Sequence, residues 1–321
     1  MTIDLSGHQY GKAETRVVRI YRDSPRHEIR DLTVTTTLRG DFEAAYLSGD
    51  QSAVLPTDSQ KNTCFAYARE KGVGAIEDYA LDLARHFVTD IEPVRQARIE
   101  VAEHRWERVS VAGSPHPHAF VRSGGDTRTT AVTVAATTGA TTTGATTTGA
   151  TTTGAGGGTG QRAYVVSGLY DLVVLKSTGS EFAGFLTDKY TTLAQTHDRV
   201  LATSVTASWR YSGDRVSWDE AHAAIRQILL ERFAVVHSLA LQQTLWEMGR
   251  AVLAARDEVA EIRLTAPNKH HFLADLAPFG LDNPGEVFYA ADRPYGLIQC
   301  AVQREGAEPA GPAWDAPAAF G

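Results

Sequence analysis

The same order of strand and helix signals occurs twice along this sequence, and this repetition limits the available folds more than any other feature. In the first half, β-branched and alternating apolar residues predict strands at 16–22, 32–38, 94–109 and 118–123. Helical signals follow the second of these strands, after Pro56 and at 76–88. The second half repeats the order, with strands predicted at 162–176, 200–211, 259–265 and 296–303 and helices from Ser217 and at about 241–256. Because the strands precede and follow the helices rather than alternating with them, the pattern predicts an α+β fold with antiparallel sheets.

A low-complexity segment, residues 136–160, separates the two halves. It contains three consecutive copies of the pentad Thr-Thr-Thr-Gly-Ala and ends in a glycine-rich stretch. Such a segment lacks the apolar surface needed to offset its ordering entropy, so we predict a flexible loop. Its glycines match neither phosphate-loop pattern, GxGxxG or GxxxxGK[ST]. The sequence therefore divides into a first domain at 8–135, the 136–160 loop, a second domain at 161–304 and a tail at 305–321.

The charge balance argues against two classes of partner. The 321 residues include 31 basic and 38 acidic side chains, a net charge of −7, and the basic ones are scattered along the chain. We therefore expect neither a nucleic acid nor a membrane surface as a partner. Two cysteines without metal-ligand spacing, Cys64 and Cys300, fit a reducing compartment, and no apolar run has the length of a membrane span. With no signal peptide visible in the first residues, these features predict a cytoplasmic protein.

Several polar residues invite a chemical interpretation but also have a structural one. His116 and His118, together with His104, suggest a copper or zinc site. No carboxylate or cysteine joins them at ligand spacing, which favours ordinary hydrogen-bonded histidines. Thr57 and Gln60 have the spacing of a capping box at the start of a helix, which explains Thr57 by itself.

Four more residues are ambiguous in the same way. Lys12 is a solvated lysine by its local context. Arg199 offers either a surface ion pair or a planar fork for polar groups. Asn268 and His270 follow a predicted strand, where side chains often project into a site, although a turn explains them equally well. Composition and spacing do not choose between these alternatives.

Six short segments, present in one order along the chain, resemble a known family. They are Tyr10-Gly11-Lys12, residues 56–63 (Pro-Thr-Asp-Ser-Gln-Lys-Asn-Thr), Pro115-His116-Pro117-His118, Leu175-Lys176-Ser177-Thr178, residues 185–193 (Phe-Leu-Thr-Asp-Lys-Tyr-Thr-Thr-Leu) and Pro267-Asn268-Lys269-His270. Together they resemble the urate oxidase (uricase) family. The resemblance covers about residues 8–304 apart from the Thr/Gly/Ala segment.

This resemblance implies a fold, an assembly and a reaction. The fold is two tandem tunnelling-fold domains per chain, with antiparallel sheets and helices packed on one face. The assembly is a homotetrameric barrel with active sites at subunit interfaces. The implied partners are urate and O₂, converted with water to 5-hydroxyisourate and hydrogen peroxide in purine degradation. The resemblance implies no metal and no organic cofactor.

The resemblance also assigns substrate-binding roles to particular residues. Phe182 matches the aromatic residue that stacks on the purine, and Arg199 matches the bidentate clamp on one edge of urate. Gln242 matches the amide that reads the opposite edge. The backbone groups of Leu241 and Asp58 complete the set.

The catalytic residues follow from the same resemblance. Thr57 and Asn268 match the pair that holds O₂ and later the attacking water. Lys12, Thr57 and His270 match the proton relay of the family. By the same analogy, Lys12 and Thr57 come from one subunit and His270 from its neighbour, together with the purine-binding side chains.

Alternatives stay open at this stage. The stretch from Leu239 to Thr244 departs from the Ser-Val-Gln that the family often shows, so Gln243 competes with Gln242 for the amide role. The alternative function is therefore a catalytically inactive urate-binding or structural tetramer. A zinc-dependent tunnelling-fold enzyme acting on pterins or GTP would need a cysteine–histidine set that Cys64 and Cys300 do not provide.

Overall fold

The computed structural model describes residues 3–137, 160–291 and 293–315. The strands of the first half are β1 (Tyr10–Tyr21), β2 (Glu28–Gly40), β3 (Val94–Glu103), β4 (Trp106–Val111), β5 (Ser114–Arg122) and β6 (Thr127–Thr137). Those of the second half are β7 (Gly160–Lys176), β8 (Leu201–Tyr211), β9 (Val259–Leu273), β10 (Phe288–Ala291) and β11 (Leu297–Gln303). The helices are α1 (Glu43–Leu47), α2 (Thr57–Glu70), α3 (Ile76–Asp90), α4 (Trp218–Val235) and α5 (Leu241–Ala255).

One antiparallel sheet runs through both halves and confirms the predicted α+β class. Its strands lie in the order β1-β2-β3-β6-β7-β8-β9, and β10 and β11 pair with different stretches of β9. The halves join where β6 pairs with β7, from Thr127 opposite Tyr170 to Thr137 opposite Gly160. β1 therefore forms one edge of the sheet, and the region of β9, β10 and β11 forms the other.

Several strand boundaries in the first half differ from the predicted ones. The predicted strand at 94–109 is two strands, because the chain leaves β3 at His104 and begins β4 at Trp106. The predicted strand at 118–123 belongs mostly to β5, which pairs with β4 in a separate two-stranded sheet. On the side of β3 away from β2, the neighbouring strand is β6. Its Thr- and Ala-rich sequence runs into the low-complexity segment and gives no separate strand signal. Residues 138–159 of the predicted loop lie outside the described residues.

The two faces of the sheet differ in polarity because side chains alternate along each strand. In β3, Ile99 and Val101 are buried on the face that packs against α3, whereas Arg98 and Glu100 point to the opposite face. Helices of both halves cover the apolar face, so their core residues form one continuous cluster. No helix within the described ranges is long and apolar enough to cross a membrane.

The end of the described chain lies on the polar face. The predicted tail crosses this face of the sheet and contains a short 3-10 helix, Gly311–Trp314. Arg98 donates a hydrogen bond to the carbonyl oxygen of Ala313 at 3.2 Å. The guanidinium of Arg263 lies 4.0 Å from the centre of the Trp314 ring. This segment therefore contacts strands of both halves.

A buried ionic network also joins the halves. Glu77 in α3 is fully buried and pairs with Arg128 in β6 at 2.7 Å. Its carboxylate accepts a second hydrogen bond from the Ser167 hydroxyl in β7 at 2.6 Å. Arg128 in turn reaches Asp219 of α4 at 2.6 Å. Removing Arg128 would leave the fully buried Glu77 carboxylate without its partner cation, so the network stabilises the packing of α3 against α4 and β7.

Candidate active site

Lys12 lies near the start of β1, where this strand approaches β2 unusually closely. Its backbone N–H donates to the Thr36 hydroxyl oxygen at 3.2 Å. Gly11 permits this approach, because a Cβ atom there would lie 1.7 Å from the Thr36 carbonyl oxygen. The strand register shifts between Lys12 and Thr15, and such a bulge re-aims side chains at the edge of a sheet. The half-buried Lys12 side chain forms no salt bridge with any residue that the structure describes.

Thr57 is the first residue of α2, and the predicted capping box is wrong. The N-cap position belongs to Pro56, whose side chain has no acceptor atom. The Gln60 side chain bonds elsewhere. Its side-chain oxygen, Oε1, accepts a hydrogen bond from the Thr36 hydroxyl in the core at 2.7 Å. The half-buried Thr57 hydroxyl has no hydrogen-bond partner within residues 3–137, 160–291 and 293–315. It is therefore available to a ligand.

Asp58 turns its carboxylate back along α2. It pairs with Lys61 and accepts a hydrogen bond from the Asn62 side chain at 3.0 Å. The hydrogen bond and charge of Lys61 hold the pKa of Asp58 below its usual value, and the charge of Lys12 adds to this effect. Lys12 and the start of α2 are thus close enough to interact electrostatically. The Asp58 side chain is occupied, which leaves its backbone for the predicted role.

Phe182 and Arg199 lie in the long connection between β7 and β8. Two hydrogen bonds between Phe182 and Thr196 close part of this connection into an antiparallel bridge, at 2.8 and 3.0 Å. The backbone N–H of Arg199 donates to the Ser180 carbonyl oxygen at 2.8 Å. The guanidinium of Arg199 lies 5.4 Å from the centre of the Phe182 ring. The connection therefore holds a flat aromatic face beside a planar cation.

Among the described residues, Arg199 has no acidic partner for its charge. Its side chain forms no salt bridge with them, and its Nε donates a long hydrogen bond of 3.4 Å to the Ser180 hydroxyl. Burial lowers the pKa of Arg199, since desolvation disfavours the charged form. A partly buried arginine without a carboxylate partner is a binding group for an anion.

Asn268 and His270 bring β9 to the same place. They line, with Phe182 and Arg199, a cavity of about 460 Å³. The backbone N–H of Asn268 donates to the Gly296 carbonyl oxygen at 2.8 Å, which fixes β9 beside the segment before β11. The ring of His270 stacks on Phe272, with the ring centres 5.7 Å apart. The structure therefore groups four of the predicted residues around one cavity.

Leu241 and Gln242 begin α5, beside the same connection. Ser238, just before this helix, forms a bridge with Ser180, which is two residues from Phe182. The side-chain oxygen of Gln243 accepts the backbone N–H of Leu239 at 2.9 Å, so this amide holds the loop. The Gln242 side chain is exposed. This geometry favours Gln242 over Gln243 as the amide that binds a ligand.

The predicted residues thus form two groups, and one chain does not bring them together. The first group is Lys12, Thr57 and Asp58, near β1. The second is Phe182, Arg199, Leu241, Gln242, Asn268 and His270, near β9. Six inter-strand steps separate these two edges of the sheet. At about 4.8 Å per step the path is roughly 29 Å, far beyond the reach of side chains.

The histidines considered as metal ligands have different partners. The ring of His118 contacts those of His116 and His27, with ring centres 4.5 and 5.8 Å apart, whereas His104 interacts with Thr33 and Arg122. Within the part of the chain that the structure describes, no group of three or more His, Cys, Asp or Glu side chains is arranged to hold a metal ion.

Sequence reasoning missed one cluster beside the cavity. The carboxylate of Glu181 bonds to both His197 and His237, which lie far apart in the sequence. Their spacing gave no signal, because only the folded connection between β7 and β8 and the loop before α5 bring the three residues together.

Sequence comparisons with known proteins all indicate the same family. A sequence model of the Uricase family matches residues 8–133 and 165–299, on either side of the Thr/Gly/Ala segment. The Uricase of Arthrobacter globiformis is 47% identical over 316 residues, covering 98% of this chain and 95% of that protein. The Uricase of Aspergillus flavus is 33% identical over 311 residues, covering 92% of this chain and 95% of that protein.

Solved structures agree with the sequence comparison. The crystal structure of uricase from Arthrobacter globiformis has a TM-score of 0.86 and covers 98% of this chain and 99% of that one. Urate oxidase from Bacillus sp. TB-90 has a TM-score of 0.78 over 92% of this chain and 100% of that one, and at 21% identity this is a likeness of fold alone. With the family model matching most of the sequence and relatives aligned over nearly all of it, the chain belongs to the uricase family.

Proposed function

We propose that this protein is a urate oxidase that works without a metal or organic cofactor. The observation that carries the proposal is the uncompensated Arg199 guanidinium beside the flat Phe182 ring, at a cavity that Asn268 and His270 also line. A planar anion satisfies both groups, since its ring covers the phenyl face and its charge pairs with the arginine. Urate is such an anion, and the relatives named above are uricases.

The reaction is a two-electron oxidation. Urate gives two electrons to O₂, which leaves as hydrogen peroxide, and water supplies the hydroxyl group of 5-hydroxyisourate. One molecule each of urate, O₂ and water thus becomes one 5-hydroxyisourate and one hydrogen peroxide, a step of purine degradation. The protein's task is to bind the ionised purine, hold O₂ and water over its ring, and move protons.

The substrate groups divide between recognition and chemistry. The Arg199 fork binds one edge of the ring, and the Gln242 amide, with the backbone of Leu241, binds the opposite edge. The backbone of Asp58 completes the contacts. Asn268 and Thr57 hold O₂ and then the attacking water above the ring.

Lys12, Thr57 and His270 form the proton relay of the proposed mechanism. The free Thr57 hydroxyl can pass a proton only when a neighbour accepts or supplies one, and Lys12 lies on the strand beside it. His270 completes the chain of proton carriers. Because Lys12 and His270 lie on opposite edges of one sheet, this relay requires two subunits.

We therefore also propose a homotetramer whose active sites form between subunits, with each chain folded as two tandem tunnelling-fold domains. An exposed edge strand can pair with another chain, and β1 offers such an edge. Exposed apolar side chains, which suit an interface, lie on both edges: Val18 on β1, and Phe272, Tyr289 and Leu297 at the other. A cytoplasmic location stays a prediction, consistent with the free thiols of Cys64 and Cys300.

The test is loss of urate absorbance with simultaneous detection of hydrogen peroxide, using protein treated with a chelator. We expect one peroxide per urate consumed, at the same rate before and after chelation. Urate that binds but is not consumed would overturn the oxidase proposal and favour the urate-binding tetramer. Activity lost on chelation and restored by an added metal ion would overturn the cofactor-free part.

A further inference from the structure

The carboxylate of Glu181 connects two histidines next to the candidate purine-binding groups. One oxygen, Oε1, accepts a hydrogen bond from His237 Nε2 at 2.7 Å. The other, Oε2, accepts one from His197 Nδ1 at 3.1 Å. Both acceptor atoms are thus in use, and the two imidazoles belong to segments that are separate in the sequence.

Each member of this trio lies close in sequence to a residue that we place on urate. Glu181 immediately precedes Phe182, and His197 lies two residues before Arg199. His237 is at the start of the loop that leads into α5 and Gln242. The carboxylate therefore joins three segments, one for each of the proposed side-chain contacts to the purine.

Backbone bonds make these connections stiffer. The N–H of Glu181 donates to the Ser238 carbonyl oxygen at 2.8 Å, and the N–H of Ser238 donates to Gly179 at 2.9 Å. A small change in the distance between the carboxylate and either imidazole therefore shifts the segment that carries this imidazole. Groups held this tightly determine how well a rigid ligand fits.

The charges around the trio favour an ionised Glu181. Hydrogen bonds from His237 and His197 lower the pKa of the Glu181 carboxyl. Other charged groups on the adjoining segments point elsewhere. Lys176 donates to the Val236 carbonyl oxygen, and Asp198 accepts a hydrogen bond from Thr178.

We propose that Glu181 is a positioning residue, which with His197 and His237 sets the spacing of Phe182, Arg199 and Gln242 around urate. This inference rests on the proposed function, since it concerns the same site. Both side-chain hydrogen bonds run to one carboxylate, so removing it breaks both of these links between the segments.

The experiment compares wild-type protein with Glu181→Gln and Glu181→Ala. We expect the alanine variant to raise KM for urate about 10-fold and the glutamine variant about 3-fold, with kcat changed less than about 2-fold. A double variant, His197→Gln with His237→Gln, should also raise KM for urate, with a similarly small change in kcat.

Glu220→Gln is the matched control. The carboxylate of Glu220 also bonds to a basic side chain, Arg256, but it lies in the first turn of α4, away from the cavity. This control should leave both KM and kcat for urate unchanged. Thermal unfolding of all variants shows whether a raised KM accompanies a general loss of folded protein, which the proposal does not predict.

Failure of the inference and failure of the proposed function are distinguishable. Urate consumption by the wild type tests the function alone. An unchanged KM in Glu181→Ala, or a fall in kcat as large as the rise in KM, would overturn the positioning role even if the wild type is fully active. If the wild type binds urate without consuming it, the same comparison of variants measured as Kd by equilibrium dialysis decides the inference.

Discussion

The two halves of the chain have the same order of strands and helices but connect their first two strands differently. Residues 22–27 join β1 to β2, whereas the much longer stretch 177–200 joins β7 to β8. The long connection carries Phe182 and Arg199, held in place by backbone bridges. In the first half, the candidate residues Lys12 and Thr57 lie on a strand and a helix instead. Two of the proposed substrate-binding groups thus lie on a long connection, whereas the proposed proton-transfer groups of the first half lie on regular structure.

The helix starts differ in a corresponding way. In the first half the candidate residues Thr57 and Asp58 begin α2, the helix directly before α3, whereas in the second half Leu241 and Gln242 begin α5, the helix after α4. The candidate residues therefore do not occupy equivalent positions in the two halves. Each half carries one of the two groups of candidate residues.

The largest effect should come from removing the proton-transfer groups of the first half. Lys12→Met and Thr57→Ala should each lower kcat by about 100-fold or more, the usual contribution of general acid–base groups. Urate binding should persist, because the clamp lies in the second half. Steady-state kinetics together with equilibrium binding of urate measure both quantities. An unchanged kcat in both variants would contradict the relay.

Mixing inactive variants tests whether the halves complete each other across subunits. The Lys12→Met and Arg199→Ala proteins should each have low urate oxidation activity alone. Unfolding and refolding them together should restore part of the activity. Random assembly gives roughly a quarter of the interfaces an intact Lys12 on one side and an intact Arg199 on the other. Refolding each variant separately and mixing afterwards is the control. Absence of recovery in the co-refolded sample would argue against a site shared between subunits.

The halves should also respond differently to acid, because the first long helix of each half buries a different polar residue. In α2 this residue is Gln60, a neutral amide bonded to Thr36. In α4 it is His222, whose pKa burial lowers to about 4, with the charge of Arg128 adding to the effect. The unfolded chain takes up this proton at about pH 6.5, before the folded chain does, so stability is lost as the pH falls from about 6.5 to about 4.

The measurement is the free energy of unfolding of wild type and His222→Gln as a function of pH. The wild type should lose about 3 kcal/mol more than the variant between about pH 7 and about pH 4. Gln60→Ala is the comparison in the first half. It should lower the free energy of unfolding by an amount that stays the same at every pH in this range. Equal slopes for wild type and His222→Gln would refute the assignment of acid sensitivity to the second half.

Local signals predicted much of this structure, because helices and hairpins depend mainly on nearby residues. The sequence Ser217-Trp218-Asp219-Glu220 places the start of α4 correctly, and the apolar periodicity at 76–88 gives α3 to within two residues of its observed end. The detailed bonds were less predictable. Glu220 pairs with Arg256 rather than closing a capping box, because long-range partners compete with local ones.

The candidate site residues were assigned from short motifs, and the family resemblance already implied that Lys12 and Thr57 come from one subunit and His270 from its neighbour. The position of the two groups at opposite edges of the sheet depends on strand order, which is decided by pairings such as that of β6 with β7. Because β6 gave no separate strand signal, the continuous sheet could not be drawn from the sequence. The trio around Glu181 was hidden for the same reason, since its contacts cross three segments.

A smaller effect should follow from changing the clamp of the second half. Arg199→Ala should raise KM for urate about 30-fold and lower kcat less, since the charge that pairs with the anion is lost. Arg199→Lys should recover only part of the affinity, because an ammonium group cannot form the two parallel hydrogen bonds of a guanidinium. An unchanged KM in Arg199→Ala would show that the uncompensated charge is not the urate-binding group.

The smallest effect distinguishes two adjacent amides at the start of α5. Gln242→Ala should raise KM about 5-fold, because its exposed amide is the one free to bind the purine edge. Gln243→Ala removes the bond to the Leu239 N–H and should instead lower the midpoint of thermal unfolding by a few degrees, with a smaller change in KM. Steady-state kinetics and thermal unfolding of both variants make the comparison. If Gln243→Ala raises KM more than Gln242→Ala does, Gln243 is the amide that binds the purine edge. The same residue would then both bind the purine and hold the loop before α5.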